Sequence, residues 1–305
     1  MAVKIGVRKE LGLLLDSLKN AFSLLKKNDP LRMAGATAFF TTFALPPILF
    51  ILAQLIGLFI GTRDARHGLI KSITETLGKE GAEQIRQVIR SIRGFSDSWY
   101  VIGFGILFLL FVATTLFNVI KNSLDQIWQI NVKEKPGLLF SLKNRAKAFA
   151  VILASGILFL ADLLLESLEI IAGDYLNALW PGSGIYFKSI LGQIGSIIII
   201  AIWFILLFRF LADGKPGWKA SAIGGLLTGI LFFGGRFLLR FLLVDNNVGK
   251  LYGAAGSLVL LLLFVFYSSF ILYYGACFIN IYSQKKKWPI NPNIKSFNYR
   301  IEKIK

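Results

Sequence analysis

Six apolar runs, each about 20 residues or longer, dominate the sequence. A helix that crosses a bilayer needs about 20 consecutive, mostly apolar residues, whereas strands of a barrel would alternate between apolar and polar residues. The sequence therefore predicts an all-α polytopic membrane protein with six transmembrane helices, and it excludes a soluble globular fold. The predicted spans are Gly35–Gly61, Tyr100–Ile120, Phe149–Leu168, Ile185–Leu211, Ala220–Leu243 and Tyr252–Tyr282.

The positions of the basic residues predict the orientation of the chain. There are 34 Lys and Arg residues against 17 Asp and Glu residues, which gives a formal net charge of +17. A nucleic-acid-binding protein would display such residues on a polar surface, but here they lie between apolar runs. They are concentrated before span one, after spans two and four, and in the tail, so both termini are predicted to be cytoplasmic. No nucleic acid is expected as a partner.

Three segments are predicted on this basis. Residues 1–34 form a cytoplasmic amphipathic segment, whose helix at about residues 10–27 lies along the inner membrane surface. Residues 35–283 form the membrane domain. Residues 284–305 form a basic cytoplasmic tail, and Lys285–Lys287 beside Trp288 predict that this tail lies on anionic lipid.

The long loop after span one is predicted to fold as an outer amphipathic helical hairpin, at about residues 62–98. Its second helix places Arg86, Arg90 and Arg93 along one stripe. This stripe is either a solvated face of a hairpin that caps the bundle or a binding surface for anionic headgroups.

Ionisable residues inside the predicted spans are the main candidates for a functional site, because charges at membrane depth are costly and rare. Asp162 and Glu166 lie on one face of span three, and Arg236 and Arg240 lie on one face of span five. Asp162 is roughly 20 Å, and Arg236 roughly 24 Å, past the inner end of its span. We expect the two faces to oppose each other in the outer half. The charges are then either structural, as pairs that stabilise the bundle or as side chains that extend to the outer interface, or they form an anion or headgroup site.

Other polar and small residues allow several interpretations. Pro46 and Pro47 break or kink span one, which predicts either an ordinary kink or a gate. Trp128 is interpreted as an interface anchor, and Asp213 beside Arg209 as part of a tight turn. The small residues of spans five and six, among them Gly225-xxx-Gly229, predict close helix packing or a homo-oligomer interface.

The sequence restricts the chemistry that one chain can perform. Cys277 is the only cysteine and His67 the only histidine, so no intrachain disulfide can form. A metal site of the His/Cys type and a Ser-His or Cys-His nucleophile are also excluded within one chain. No cofactor or catalytic residue is therefore predicted.

A series of short motifs lies at defined positions relative to the six predicted spans. They are Asp29-Pro30-Leu31-Arg32, Leu45-Pro46-Pro47, Ala113-Thr114-Thr115, Leu124-Asp125-Gln126-Ile127-Trp128, the segment Arg209–Pro216, Tyr252-Gly253-Ala254-Ala255-Gly256-Ser257, Tyr267-Ser268-Ser269 and Gly275-Ala276. In their order and spacing these motifs resemble the YihY/BrkB family of bacterial inner-membrane proteins. The resemblance implies a membrane fold and an inner-membrane location. The family has also carried the name ribonuclease BN, but no carboxylate cluster or acid-base pair on an aqueous loop supports RNA hydrolysis.

These observations favour a transporter or flippase-like protein for a lipid or another amphipathic anion. It would not be driven by ATP, because the sequence lacks the Gly-x4-Gly-Lys-Ser/Thr motif. The alternative is a non-transporting membrane scaffold that supports envelope assembly through partner binding. Membrane lipids are the expected partners in the first case.

Overall fold

The computed structural model describes residues 2–44, 99–132, 183–239, 256–293 and 296–299, together with single helical positions between 150 and 161. This part of the chain is mostly helical, as predicted. We number the helices α1 (Ala2–Lys27), α2 (30–44), α3 (Trp99–Ile127), α4 (Ser183–Phe210), α5 (Trp218–Leu239) and α6 (Gly256–Lys286), and the strands β1 (Ile130–Val132), β2 (Gly214–Lys215), β3 (Asn291–Pro292) and β4 (Ser296–Asn298).

Three helices of the described residues are long and apolar enough to cross a membrane. They contain the segments Gly192–Phe210, Trp218–Phe237 and Leu258–Lys286, which coincide with predicted spans four, five and six. Helix α3 covers predicted span two, and span one is described as far as residue 44. An all-α membrane protein is thus confirmed, and the number of six spans stays a prediction. Most of span three and the outer hairpin lie outside the described residues.

Helices α4, α5 and α6 pack side by side through a chain of aromatic rings. The ring centroid of Phe204 in α4 lies 5.8 Å from that of Phe232 in α5. Phe232 in turn lies 6.0 Å from Phe264 in α6, and both pairs meet edge to face. On the opposite side of α4, Ile194, Ile198 and Ile202 form an exposed apolar stripe. Such a stripe is typical of a helix face that contacts lipid.

Glycines allow close helix contacts on two different faces of α5. Gly225 and Gly229 lie against Ala201 of α4, so the Gly-xxx-Gly pair packs toward α4. Gly224, on the neighbouring face, lies against Ile279 of α6. The predicted close packing of α5 with α6 is therefore found, and the Gly-xxx-Gly pair adds a second close contact, with α4.

Helix α1 is amphipathic and packs against α6. Ser17, Ala21 and Leu25 recur every fourth residue and are fully buried. The Tyr274 hydroxyl of α6 donates a hydrogen bond to the Leu18 carbonyl over 3.1 Å. The predicted helix at residues 10–27 is thus present, and its buried face is occupied by protein.

The chain after α6 forms two short strands that we call the C-terminal strap, β3 and β4. β3 pairs with β2, in the turn between α4 and α5, and β4 pairs with β1, after α3. Both pairings are antiparallel. Gln129 and Lys287 end the preceding helices in the left-handed region, each at φ 56°. The strap is therefore bound to the helix ends by backbone hydrogen bonds, a use of the tail that the lipid-contact prediction did not foresee.

Candidate functional site

Most residues of the predicted site lie outside the described part of the chain. Arg236 is the exception. The predicted residues outside it are Asp162, Glu166, Arg240, Pro46, Pro47, Arg86, Arg90 and Arg93. The charge pairing, the gate and the headgroup-binding stripe accordingly stay predictions.

Arg236 lies in the last turn of α5, eighteen residues after Trp218, which corresponds to about 27 Å of helix. Its side chain is half-buried. The guanidinium carbon lies 5.2 Å from the ring centroid of Phe233 and 5.8 Å from that of Phe237. Both distances permit a cation–π interaction, which partly compensates for the loss of hydration. The three side chains form a unit that we call the Arg236 cluster.

The guanidinium of the Arg236 cluster has the chemistry of an anion-binding group. The guanidinium carries five N–H donors that point outward in the plane of the group. A phosphate or carboxylate can therefore be bound through two parallel hydrogen bonds. Phe237 is exposed on the outside of α5, so an apolar surface adjoins the cation.

A second charged group, which the sequence analysis did not identify, lies at the other end of the bundle. Lys121 of α3 contacts Asp125 one turn later, with Nζ 3.0 Å from Oδ2, and Asp213 in the α4–α5 turn, with Nζ 2.5 Å from Oδ2. The other Asp125 oxygen accepts hydrogen bonds from the backbone N–H groups of Asp213 at 2.9 Å and Gly214 at 3.3 Å. All three side chains are almost completely buried. We call this group the buried ion cluster.

Within the buried ion cluster, burial and the charge of Lys121 have opposite effects on the ionisation of Asp125. Burial raises the pKa of the Asp125 carboxyl, and the opposing effect of the Lys121 charge is smaller. Burial by itself would lower the pKa of Lys121, but the charge of Asp125 and the contacts with Asp213 raise it overall. The ammonium is therefore held in its charged form.

The buried ion cluster joins three parts of the chain. Lys121 and Asp125 belong to α3, and Asp213 belongs to the turn between α4 and α5. The Asp213 carbonyl also accepts a hydrogen bond from the backbone N–H of Asn293, which directly follows β3 of the C-terminal strap, over 2.9 Å. This arrangement joins the described ends of α3, α4 and α5 to the chain after α6 and has the form of a structural joint.

One sequence interpretation in this region is wrong, and another is incomplete. Trp128 is only 5% exposed and donates its indole N–H to the Ala276 carbonyl over 3.0 Å, so it packs inside the protein and is not an interface anchor. Asp213 lies in the α4–α5 turn as predicted, and Arg209 closes this turn by donating to the Pro216 carbonyl over 2.5 Å, but the Asp213 carboxylate also binds Lys121. The indole of Trp128 and the carboxylate of Asp213 thus both contact partners from distant parts of the sequence.

Among the described residues, no group of three or more His, Cys, Asp or Glu side chains could hold a metal ion. In this part of the chain, the Arg236 guanidinium lies within an apolar helix and the buried ion cluster joins helix ends.

Comparison with known proteins identifies the family. The chain matches the family described as Virulence factor BrkB over residues 21–295. A UPF0761 membrane protein of Teredinibacter turnerae is 24% identical over 273 residues, which are 88% of this chain but only 60% of that protein. A UPF0761 membrane protein of Haemophilus influenzae is 24% identical over 268 residues, which are 85% of this chain and 94% of that protein. No solved structure matches. Because the family match extends over most of the sequence, the chain belongs to the YihY/BrkB family of membrane proteins.

Proposed function

We propose that the protein is a transporter or flippase-like protein for a lipid or another amphipathic anion in the bacterial inner membrane, and that it is not driven by ATP. The observation that carries this proposal is the position of Arg236, which lies inside the apolar segment of a membrane-spanning candidate helix, one residue before the segment ends at Phe237. Ionisable residues within the apolar segment of a membrane helix are rare, and such residues are functional candidates for that reason.

An anion with an apolar part fits the surroundings of Arg236. The guanidinium supplies the charge and the paired donors for a phosphate or carboxylate group. Phe233 and Phe237 supply adjoining apolar surface, and Phe237 is exposed on the outside of the helix. A fully hydrated small ion would gain nothing from these rings, whereas an acyl chain or another apolar group would.

The packing of the described helix ends favours an entry route elsewhere. The buried ion cluster and the C-terminal strap join the described helix ends near Lys121 and Asp213. Arg236 lies about 27 Å along α5 from that end. We therefore place access to Arg236 on the lipid side or at the opposite end, where Asp162, Glu166 and Arg240 are predicted to form the rest of the site.

The test is lipid movement in reconstituted vesicles. A fluorescent phosphatidylglycerol, reduced by a membrane-impermeant reagent, reports transfer between leaflets. We expect Arg236→Gln to slow transfer by roughly tenfold to a hundredfold, since a charge-assisted hydrogen-bonded contact contributes about 1.5–3 kcal/mol. Arg236→Lys retains the charge without the paired donors, so its transfer rate should lie between those of the wild-type protein and Arg236→Gln. Lys219→Gln, at an exposed position near the start of the same helix, is the matched control.

The vesicle experiment and a cellular assay together separate transport from the scaffold alternative. Transfer that is no faster with the wild-type protein than in empty vesicles would refute the proposed function. A scaffold would instead tolerate Arg236→Gln in a cellular assay of envelope integrity and fail when residues 62–98, the predicted outer hairpin, are deleted.

A further inference from the structure

A groove of about 250 Å³ lies between α1 and the C-terminal end of α6. Its lining combines cations, neutral hydrogen-bonding groups and apolar side chains from both helices. These residues include Ser23, Leu24, Lys27, Ile281, Gln284 and Lys285. The Arg236 cluster and the buried ion cluster do not contribute to it.

The two lysines of the groove differ in their partners. Lys285 contacts the carboxylate of Asp16, and this hydrogen bond lowers the pKa of Asp16, so the acid is ionised and its charge is neutralised. Lys27 is exposed, and no carboxylate of the described residues pairs with it. The groove therefore retains a positive charge that an anion can neutralise, beside the hydroxyl of Ser23.

The outer face of α1, next to the groove, has the composition of a helix that lies in a membrane interface. Leu15, Lys19, Phe22 and Lys26 recur at spacings of three and four residues along one stripe. Leu15 is 60% and Phe22 47% exposed, and the Lys26 ammonium lies 4.8 Å from the centre of the Phe22 ring. Exposed apolar side chains alternating with lysines are favourable at the boundary between acyl chains and anionic headgroups.

The groove also lies at the depth of a headgroup. The apolar run of α6 ends at Lys285-Lys286, and a lysine at the end of a span extends toward the headgroups. Around the groove, residues 10–32 and 285–287 together contain seven basic and three acidic residues. The predicted orientation places this region at the cytoplasmic leaflet, whose surface is negatively charged.

We propose that this groove binds the headgroup of an anionic phospholipid of the cytoplasmic leaflet. The phosphodiester lies between Lys27 and Lys285, the hydroxyl of Ser23 and the amide of Gln284 are within the same lining, and the acyl chains follow Leu24 and Ile281. The stripe of α1 lies in the headgroup layer beside it. This binding does not require transport, so its test is independent of the test of the proposed function.

The experiment is a titration of the purified protein, in a neutral detergent, with phosphatidylglycerol and with phosphatidylcholine, followed by native mass spectrometry. We expect phosphatidylglycerol to bind more tightly. The double variant Lys27→Gln with Lys285→Gln should weaken this binding by about 25-fold, or about fivefold for each lysine removed. The matched control, Lys215→Gln with Lys219→Gln, removes the same charge at exposed positions outside the groove and should change the affinity less than about twofold.

Additional variants and a soluble competitor complete the test. Because Lys285→Gln also removes the contact with Asp16, Lys27→Gln is measured alone, and its unfolding temperature is recorded. Lys27→Arg, which keeps the positive charge, should bind phosphatidylglycerol as the wild-type protein does. Glycerol phosphate at the same concentrations tests a soluble anion. Equal losses in the groove and control variants, equal affinity for the two lipids, or full competition by glycerol phosphate would each overturn the proposal.

Discussion

Replacing Lys121 with methionine is expected to lower the free energy of unfolding by about 3–5 kcal/mol. The substitution preserves much of the side-chain volume but leaves the carboxylates of Asp125 and Asp213 buried without their cation. The loss of one partner from a buried ion pair is more damaging than loss of the whole pair, because an uncompensated charge stays in a medium of low dielectric constant. The unfolding midpoint of the detergent-solubilised protein should fall on the order of 10 °C.

Two further variants show whether charge is the cause. Lys219→Met makes the same substitution at an exposed position and should change stability by no more than about 0.5 kcal/mol. Combining Lys121→Met with Asp125→Asn and Asp213→Asn removes all three charges and should recover most of the loss. In the Asp125→Asn variant, the amide oxygen of the new side chain can still accept from the two backbone N–H groups that Asp125 now binds. A triple variant as unstable as the single one would contradict this account.

The spans could be predicted because a long apolar run can form few structures other than a membrane helix. A run such as Ile185–Leu211 is too long for a strand and too apolar for a surface helix, so composition alone predicts α4. The amphipathic pattern of residues 10–27 likewise predicts α1, since the residues that recur every fourth position form one face. In both cases the information lies within one segment of sequence.

The buried ion cluster could not be predicted, because its members are brought together only by helix packing. Lys121 and Asp125 lie one turn apart and look like an exposed ion pair at the end of a span. Asp213 is 88 residues from Asp125, in a turn whose residues suggest a local role. The C-terminal strap was missed for a related reason, since strands of two or three residues have no detectable hydrophobic period.

The Arg236 cluster could be predicted in part, unlike the buried ion cluster. The position of Arg236 within an apolar run marked it as a candidate, whereas its ring contacts follow from Phe233 three residues before it and Phe237 one residue after it. The sequence contains both rings, but their use as contacts for the guanidinium depends on rotamers. Charge at membrane depth is thus detectable from sequence, and the surroundings of the charge require a structure.

Replacing Gly225 with leucine is expected to lower the free energy of unfolding by about 3 kcal/mol. The reason is that backbone atoms of α4, and not only side chains, lie against Gly225. A Cβ atom on Gly225 would lie 2.4 Å from Cγ1 of Ile205, 2.9 Å from the backbone N of Ile205 and 3.1 Å from the carbonyl O of Ala201. Side-chain rotation relieves only the first of these contacts. The leucine must therefore displace α4 from α5, and unfolding followed by tryptophan fluorescence should occur at a lower temperature.

Gly234 of the same helix provides the matched control, since nothing lies within 4 Å of a Cβ atom built there. Gly234→Leu should be neutral or stabilise the helix by up to about 1 kcal/mol, because leucine has the higher helix propensity. A comparison of the two variants thus isolates the α4–α5 contact from backbone entropy. The sequence also allowed these glycines to form a homo-oligomer interface, and size-exclusion chromatography distinguishes the two roles. If Gly225→Leu dissociates an oligomer without lowering the unfolding temperature, the close contact with α4 is not what requires glycine at this position.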